Sequence, residues 1–294
     1  MNAEVSVQDS SATPLPRLSP RASDAHKGTF GTALIVGGSR GMSGAVALAG
    51  MAALRGGAGL VRLAVPDVCL DCVARFEPAY TTIPLASDRA GRIRLQSYRA
   101  IVRLASAATV VGLGPGLGRS LGLDALVSRL YREWPGPLVV DADGLNALAA
   151  RPQSLESPGA PRILTPHPGE FVRLVGTKPS AEQREALAVR MARQWRVVLV
   201  LKGHRTLITD GQRMACNSTG NPGMATGGSG DVLTGLITAL AGQGLTPWEA
   251  ARLGVYTHGL AGDLAAAELG QVSLTAGDLI RFLPAALQQV SRDA

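Results

Sequence analysis

After residue 25 the chain alternates short β-branched and aliphatic runs with longer amphipathic stretches. The runs at 32–36, 60–65, 109–111, 138–141, 162–165 and 197–201 predict strands, and 206–209 with 213–217 predicts a hairpin. Helices are predicted at 44–55, 121–133, 144–149, 181–195, 231–241 and 247–268. The first six strand runs are almost wholly apolar rather than alternating, as parallel strands covered on both faces must be. The pattern therefore predicts the α/β class: a layer sandwich with a mostly parallel central sheet and helices on both faces. No internal repeat or linker follows residue 25, so 26–294 reads as a single domain. Residues 1–25 mix Ser, Pro, Asp and Ala without periodicity and read as a disordered lead-in.

Composition removes several function classes. The richest apolar stretch, 45–65, is interrupted by Arg55 and glycines, so no membrane span is expected. Net charge is +7, yet the basic residues are scattered singly and aromatics are only 4%, which argues against a nucleic-acid surface. Lys occurs only at Lys27, Lys178 and Lys202 among 29 basic residues; against such an Arg background, a retained Lys points to a task. Three cysteines suit a reducing compartment, and without a secretory signal pattern a cytoplasmic location is expected. Cys69 and Cys72 form a C-x-x-C with no second pair, and the four histidines (His26, His167, His204, His258) are dispersed. No protein metal site is expected.

Glycine clusters follow several strand runs: Gly37-Gly38-Ser39-Arg40-Gly41, Gly112-Leu113-Gly114-Pro115-Gly116 and Gly227-Gly228-Ser229-Gly230. In doubly wound sheets ligands sit beyond the carboxyl ends of the strands, so bare loops there suggest phosphates or a ring pressed against backbone. The first cluster imitates two familiar motifs. It has the order of a short-chain dehydrogenase cofactor loop, but its last glycine comes one residue late. No Tyr stands four residues before a Lys: Tyr80, Tyr98, Tyr131 and Tyr256 are followed there by Pro84, Val102, Pro135 and Leu260. Gly37-x-Ser39-x-Gly41 also matches a nucleophile elbow, a pattern that recurs by chance in a glycine-rich chain. No lysine follows a glycine, which excludes a Walker-type loop.

The segment 217–231 carries chemistry. It is a glycine-rich loop running into an apolar helix, with Asp231 on the first turn. The first N–H groups of a helix lack intrahelical partners, so with the positive dipole end they hold an anion. A carboxylate beside them can take a proton from a substrate hydroxyl while the amides stabilise a transferring phosphoryl group. The plainer reading is a helix cap.

This Gly-x-Gly-Asp helix start resembles the ribokinase-like superfamily. Further segments stand in one order across 26–231: His-Lys-Gly-Thr-Phe-Gly-Thr (26–32), Gly-Ser through Gly-Ala (38–45), Gly-Leu-Gly-Pro-Gly-Leu-Gly (112–118), Asp-Ala-Asp-Gly-Leu-Asn (141–146), Leu-Thr-Pro-His-Pro-Gly-Glu (164–170) and Leu-Lys-Gly-His-Arg-Thr (201–206). Together they resemble the ADP-dependent NAD(P)H-hydrate dehydratase family. The resemblance implies a ribokinase-like catalytic domain over 26–294. It implies repair of the S epimer of hydrated NADH or NADPH, with ADP as co-substrate, Mg2+ as cofactor, and AMP and phosphate as products. Asp231 would be the catalytic base. Ala45, Gly114, Gly116, His167 and Asp231 would bind the hydrate, and Lys202, Gly203, His204, Arg205, Thr206 and Gly230 the nucleotide. Glu170, Asp143 and Asn146 either hold magnesium-bound water or cap helices. The resemblance also suggests a homo-oligomer, such as a tetramer. The lead-in is too short for the epimerase domain that some relatives carry, so a separate epimerase partner is expected. Two alternatives stay open: a small-molecule hydroxyl kinase of the thiamin-precursor type, and a non-catalytic nucleotide-binding protein.

Overall fold

Each apolar run is followed by enough chain to carry it back over the sheet, which is what parallel pairing demands. The computed structural model describes residues 7–292. Its strands are β1 (Gln8–Asp9), β2 (Thr32–Val36), β3 (Leu60–Pro66), β4 (Thr81–Leu85), β5 (Val110–Leu113), β6 (Leu138–Val140), β7 (Arg162–Leu164), β8 (Val198–Leu201), β9 (Leu207–Thr209) and β10 (Arg213–Cys216). Its helices are α1 (Ser43–Arg55), α2 (Leu70–Ala74), α3 (Tyr98–Ala105), α4 (Leu121–Glu133), α5 (Asp143–Ala149), α6 (Pro168–Val175), α7 (Ala181–Trp195), α8 (Ser229–Gly242), α9 (Pro247–Leu269) and α10 (Ala276–Arg292).

The strands form one sheet in the order β1-β10-β9-β8-β7-β6-β5-β2-β3-β4. Strands β4 through β8 are parallel to their neighbours across β3, β2, β5, β6 and β7, and β9 is antiparallel to both β8 and β10. Successive residues of one strand serve opposite layers. Leu34 and Val36 pack with α3 to α7, whereas Ala33 and Ile35 pack with α1. Val139, Ile163 and Val200 pack under α8, α9 and α10. These alternating contacts explain why the runs are apolar throughout.

Some elements escape the periodic reading for definite reasons. Strand β4 contains Pro84, and it lies at the sheet edge, where a missing N–H breaks no ladder on the open side. Helix α10 carries Pro284 within it, which interrupts a helical pattern. The lead-in needs correcting over its described part. Strand β1 pairs with β10, aligning Gln8 with Arg213, and Arg252 binds Thr13 Oγ1 at 2.8 Å and Thr13 O at 2.9 Å. Leu15 and Leu18 pack on the core, and Arg21 lies over the Phe30 ring and donates to Gly57 O at 2.7 Å. The open edge of β10 and the buried Arg252 supply partners that the segment's own sequence does not reveal. The expectation for residues 1–6 lies outside the described residues.

Cys69 is buried, Cys72 is exposed, and the cysteines are free thiols. Among the described residues no helix is long and apolar enough to cross a membrane.

Strand β2 sits between β3 and β5, so the connections on its two sides run in opposite directions. That makes a switch point, with a crevice beyond the carboxyl ends. The two glycine loops that follow β2 and β5 meet there: Gly38 N donates to Pro115 O at 2.8 Å and Ser39 Oγ to Gly116 O at 2.8 Å. Helix α8 comes close enough to α1 that a methyl group at Gly235 would overlap the Ala49 carbonyl oxygen. Overpacking of this kind costs ~1–3 kcal/mol and displaces backbone. Gly235→Ala is expected to lower Tm by several degrees. An unchanged Tm by scanning calorimetry would show that the two helices have room to spare.

Candidate active site

The site is assembled around Asp141, which follows β6 and is 1% exposed. Its Oδ1 accepts from Lys202 Nζ at 2.7 Å and its Oδ2 from Thr234 Oγ1 at 2.7 Å. A buried carboxylate is tolerated only when paired and hydrogen-bonded, and here the partners come from the end of β8 and from the second turn of α8. The next residue, Ala142, has φ 50° and ψ −120°, a conformation that costs a side-chain-bearing residue on the order of 1–3 kcal/mol. Lys202 also tethers the preceding loop, since its N–H donates to Pro166 O at 2.9 Å. Burial alone would pull the Lys202 ammonium down, but Asp141, Glu170 and Asp231 together hold its pKa above the ordinary value.

Helix α8 begins without a side-chain cap, at Gly228 with φ 88°. A Cβ at Gly227 would meet open space. The loop is bare on its outer side, whereas a mere cap would have required only one polar side chain. On the inner side the His258 ring of α9 lies 3.0 Å from Ser229 O through Nε2. Burial pushes the His258 imidazole down to about 4, so it is neutral near pH 7. Asp231 stands on the first turn. Burial and the neighbouring Asp141 push its carboxyl up to about 7, with Asp143 and Glu170 adding to the effect and Lys202 opposing it. That is the range in which a carboxylate accepts protons efficiently at neutral pH.

His167 and Glu170 form a reciprocal capping box at the start of α6. His167 Nδ1 accepts from Gly169 N at 3.0 Å and Glu170 N at 3.3 Å, and Glu170 Oε2 accepts from His167 N at 2.8 Å. With Nδ1 accepting, the neutral ring carries its proton on Nε2. Burial, then Lys202 and Arg173, hold the His167 pKa below its usual value. Burial outweighs Lys202 at Glu170 and raises that carboxyl. Asp143 accepts from Gly118 N at 2.8 Å and Asn146 Nδ2 at 3.2 Å, and Asn146 Oδ1 accepts from Arg173 Nε at 2.7 Å. Glu170, Asp143 and Asn146 are therefore engaged in caps and loop ties. Among the described residues no group of three or more His, Cys, Asp or Glu is arranged to hold a metal ion.

A cavity of about 640 Å³ opens beside this cluster, walled by the 202–206 turn and the 217–230 loop. Lys202, Gly203, His204, Arg205, Thr206 and Gly230 all reach it. The turn is closed by Thr206, whose Oγ1 donates to Gly203 O at 3.0 Å. Ala45 and Gly116 meet at the switch-point loops, where a Cβ on Gly116 would overlap the Met42 carbonyl and press on Ala45. Gly114 is buried, with φ 131° and a would-be Cβ colliding with Asp141 O; it lets the loop approach the β6 turn. The motifs assigned no role to Asp141, although it opens the 141–146 segment, nor to Thr234 or His258. The available signal was an Asp closing a wholly apolar strand run in a chain with a scarce Lys.

Asp231 has a stability consequence. Its folded pKa lies above the reference of 3.8, so ionising it costs nothing below that pH, a growing amount up to about 7, and the full amount above. Asp231→Asn is therefore expected to be more stable than the parent at about pH 8, by roughly 1–4 kcal/mol at ~1.4 kcal/mol per unit, with the gain vanishing near pH 4. Denaturant melts at both pH values check this; no gain at the higher pH would refute the burial of a charged Asp231.

A family model described as NAD(P)H-hydrate dehydratase matches residues 33–285. The chain is 46% identical over 283 residues to the bifunctional NAD(P)H-hydrate repair enzyme Nnr of Moorella thermoacetica, covering 95% of this chain and 53% of that protein. It is 40% identical over 295 residues to the enzyme of the same name from Thermofilum pendens, covering 99% and 56%. The chain thus spans about half the length of the curated relatives it matches. Among solved structures, the ADP/ATP-dependent NAD(P)H-hydrate dehydratase of Bacillus subtilis, co-crystallised with ATP/Mg2+, superposes with a TM-score of 0.79 at 30% identity, covering 93% of this chain and 94% of that one.

Proposed function

The chain belongs to the NAD(P)H-hydrate dehydratase family, and from that membership and the site's geometry we propose that it dehydrates hydrated NADH or NADPH, S epimer, at the expense of ADP. The observation that carries this reading is a proton-accepting Asp231 on the uncapped first turn of α8, beside a cavity large enough for a nucleotide.

Hydroxide is a poor leaving group and phosphate a good one. In this reading Asp231 takes the proton of the added hydroxyl while its oxygen attacks the β-phosphorus of ADP. The phosphoanhydride bond breaks and AMP leaves with its electrons. The first amides of α8, at Gly230 and its neighbours, face the charge that develops on the transferring group. The ring nitrogen's lone pair then expels phosphate, and loss of a proton from the adjacent carbon restores the ring double bond. Lys202, Gly203, His204, Arg205 and Thr206 would hold the nucleotide. His167, Ala45 and Gly116 would flank the hydrate, with Gly114 shaping their loop. Both Asp143 oxygens and Glu170 Oε2 already accept from caps and ties, and among the described residues no group of three or more His, Cys, Asp or Glu is arranged to hold a metal ion. The cation would arrive on the nucleotide's phosphates and neutralise their charge. An epimerase that interconverts the hydrate stereoisomers would feed the site. Assembly as a homo-oligomer and a cytoplasmic location belong to the same reading.

Incubation with ADP and hydrated NADH should yield AMP, phosphate and NADH in equal amounts. A stable phosphorylated product would instead indicate a hydroxyl kinase, and nucleotide binding without turnover a binding protein. Asp231→Asn should lower kcat by ~10²–10⁴-fold, the usual size for loss of a general base, with ADP still bound; near-normal turnover would remove Asp231 from the role.

Lys202→Met should raise KM for ADP and also destabilise the fold by ~3–5 kcal/mol, because it leaves Asp141 buried and unpaired. Adding Asp141→Asn should restore stability but not ADP affinity. Recovery of both together would reduce the lysine to a structural ion pair.

A further inference from the structure

The outer wall of the nucleotide cavity is the segment 217–224, a stretch of irregular backbone that depends on α9 for its shape. Three residues on one face of that helix, at spacings of three and four, receive it. A Cβ at Gly259 would overlap Thr219, and one at Gly262 would overlap the Met224 sulfur, so the loop packs directly on helix backbone. The third residue, Asp263, uses both carboxylate oxygens: Oδ2 accepts from Gly220 N at 2.8 Å and Oδ1 from Asn221 Nδ2 at 3.0 Å. Asn221 in turn accepts from Gly223 N at 3.0 Å through Oδ1, which fixes the amide's orientation. Thr219 Oγ1 donates to Tyr256 O at 2.8 Å, one turn earlier on the same helix.

Gly220 and Asn221 line the cavity, whereas Asp263 does not. Gly220 has φ 102°, a left-handed backbone state in the stretch between β10 and the short 3-10 turn Pro222–Met224. We propose that Asp263 is a positioning residue for the donor nucleotide, holding residues 219–222 as a preformed cavity wall without touching the ligand. This rests on the reading of the cavity as the ADP site. Its physical basis is preorganisation: a wall already ordered in the free protein does not charge its ordering entropy to the bound nucleotide.

The test measures binding of ADP alone and of hydrated NADH alone by titration calorimetry, so that no step of catalysis is involved. Asp263→Asn keeps the shape and one acceptor but faces a second donor with an amide, and Asp263→Ala removes both acceptors. Kd for ADP is expected to rise about tenfold in the Ala variant, the size of losing hydrogen bonds to a charged group, and by less in the Asn variant, while Kd for hydrated NADH stays within twofold. Asn221→Ala combined with Asp263→Ala should cost less than the two single effects added, since both break one link. An unchanged ADP affinity in either folded variant would overturn the proposal, as would an equal loss for both ligands, which marks general destabilisation. If Asp263→Ala fails to fold, the Asn variant decides between the same outcomes. Failure of the wild-type protein to bind ADP would instead sink the reading of the cavity, and this proposal with it.

Discussion

The ion pair between Lys202 and Asp141 is the interaction on which the rest of the site depends. It links the ends of β6 and β8, and through Thr234 it fixes the first turns of α8. The pair is nearly dry, so its net worth to stability is small, and removing one partner is costly. Its value lies in position. Three elements that are far apart in sequence are held so that Lys202 and the first residues of α8, Ser229 and Gly230, line one cavity, with Asp231 next along the helix. Burial, together with the negative charge of Asp141 that the lysine only partly offsets, keeps Asp231 protonatable near neutrality.

Two helices do the remaining positioning. Helix α8 lies against α1 through Gly235, which is why a long apolar helix can deliver its first turn to the switch-point crevice. Helix α9 braces the loop that precedes α8 at both ends, through His258 beneath Ser229 and Asp263 beneath Gly220. The glycine-rich segment 217–230 is therefore bare toward the cavity but is held on its inner side. Flexible composition and a fixed conformation coexist because the constraints come from a different helix.

The layered α/β architecture was legible because buried parallel strands must be apolar on both faces, and helices α4 and α7 begin and end where their amphipathic patterns do. The position of Asp231 on the first turn of a helix was legible from its glycine setting, and the scarcity of lysine pointed to Lys202, which the structure places with residues 203–206 in the cavity wall. What the sequence hid depends on partners distant along the chain. Strand β1 exists because β10 has an open edge, and Asp141 matters because Lys202 lies 61 residues away and Thr234 93 residues away. His167 showed a different limit. Its place between two prolines suggested a ligand contact, and the structure adds that Nδ1 is already committed to capping α6. Any contact with substrate falls to the other face of the ring.

The chemistry of the site turns on the protonation of one carboxyl. Titration of Asp231 by carbon NMR in protein labelled at the aspartate side chains, with Asp231→Asn used to assign the signal, measures it. A midpoint near 7 is expected in the wild-type protein, moving toward the ordinary aspartate range when Asp141 is replaced by Asn. A midpoint near 4 in the wild-type protein, unmoved by the Asp141 replacement, would contradict a buried Asp231 in the field of Asp141.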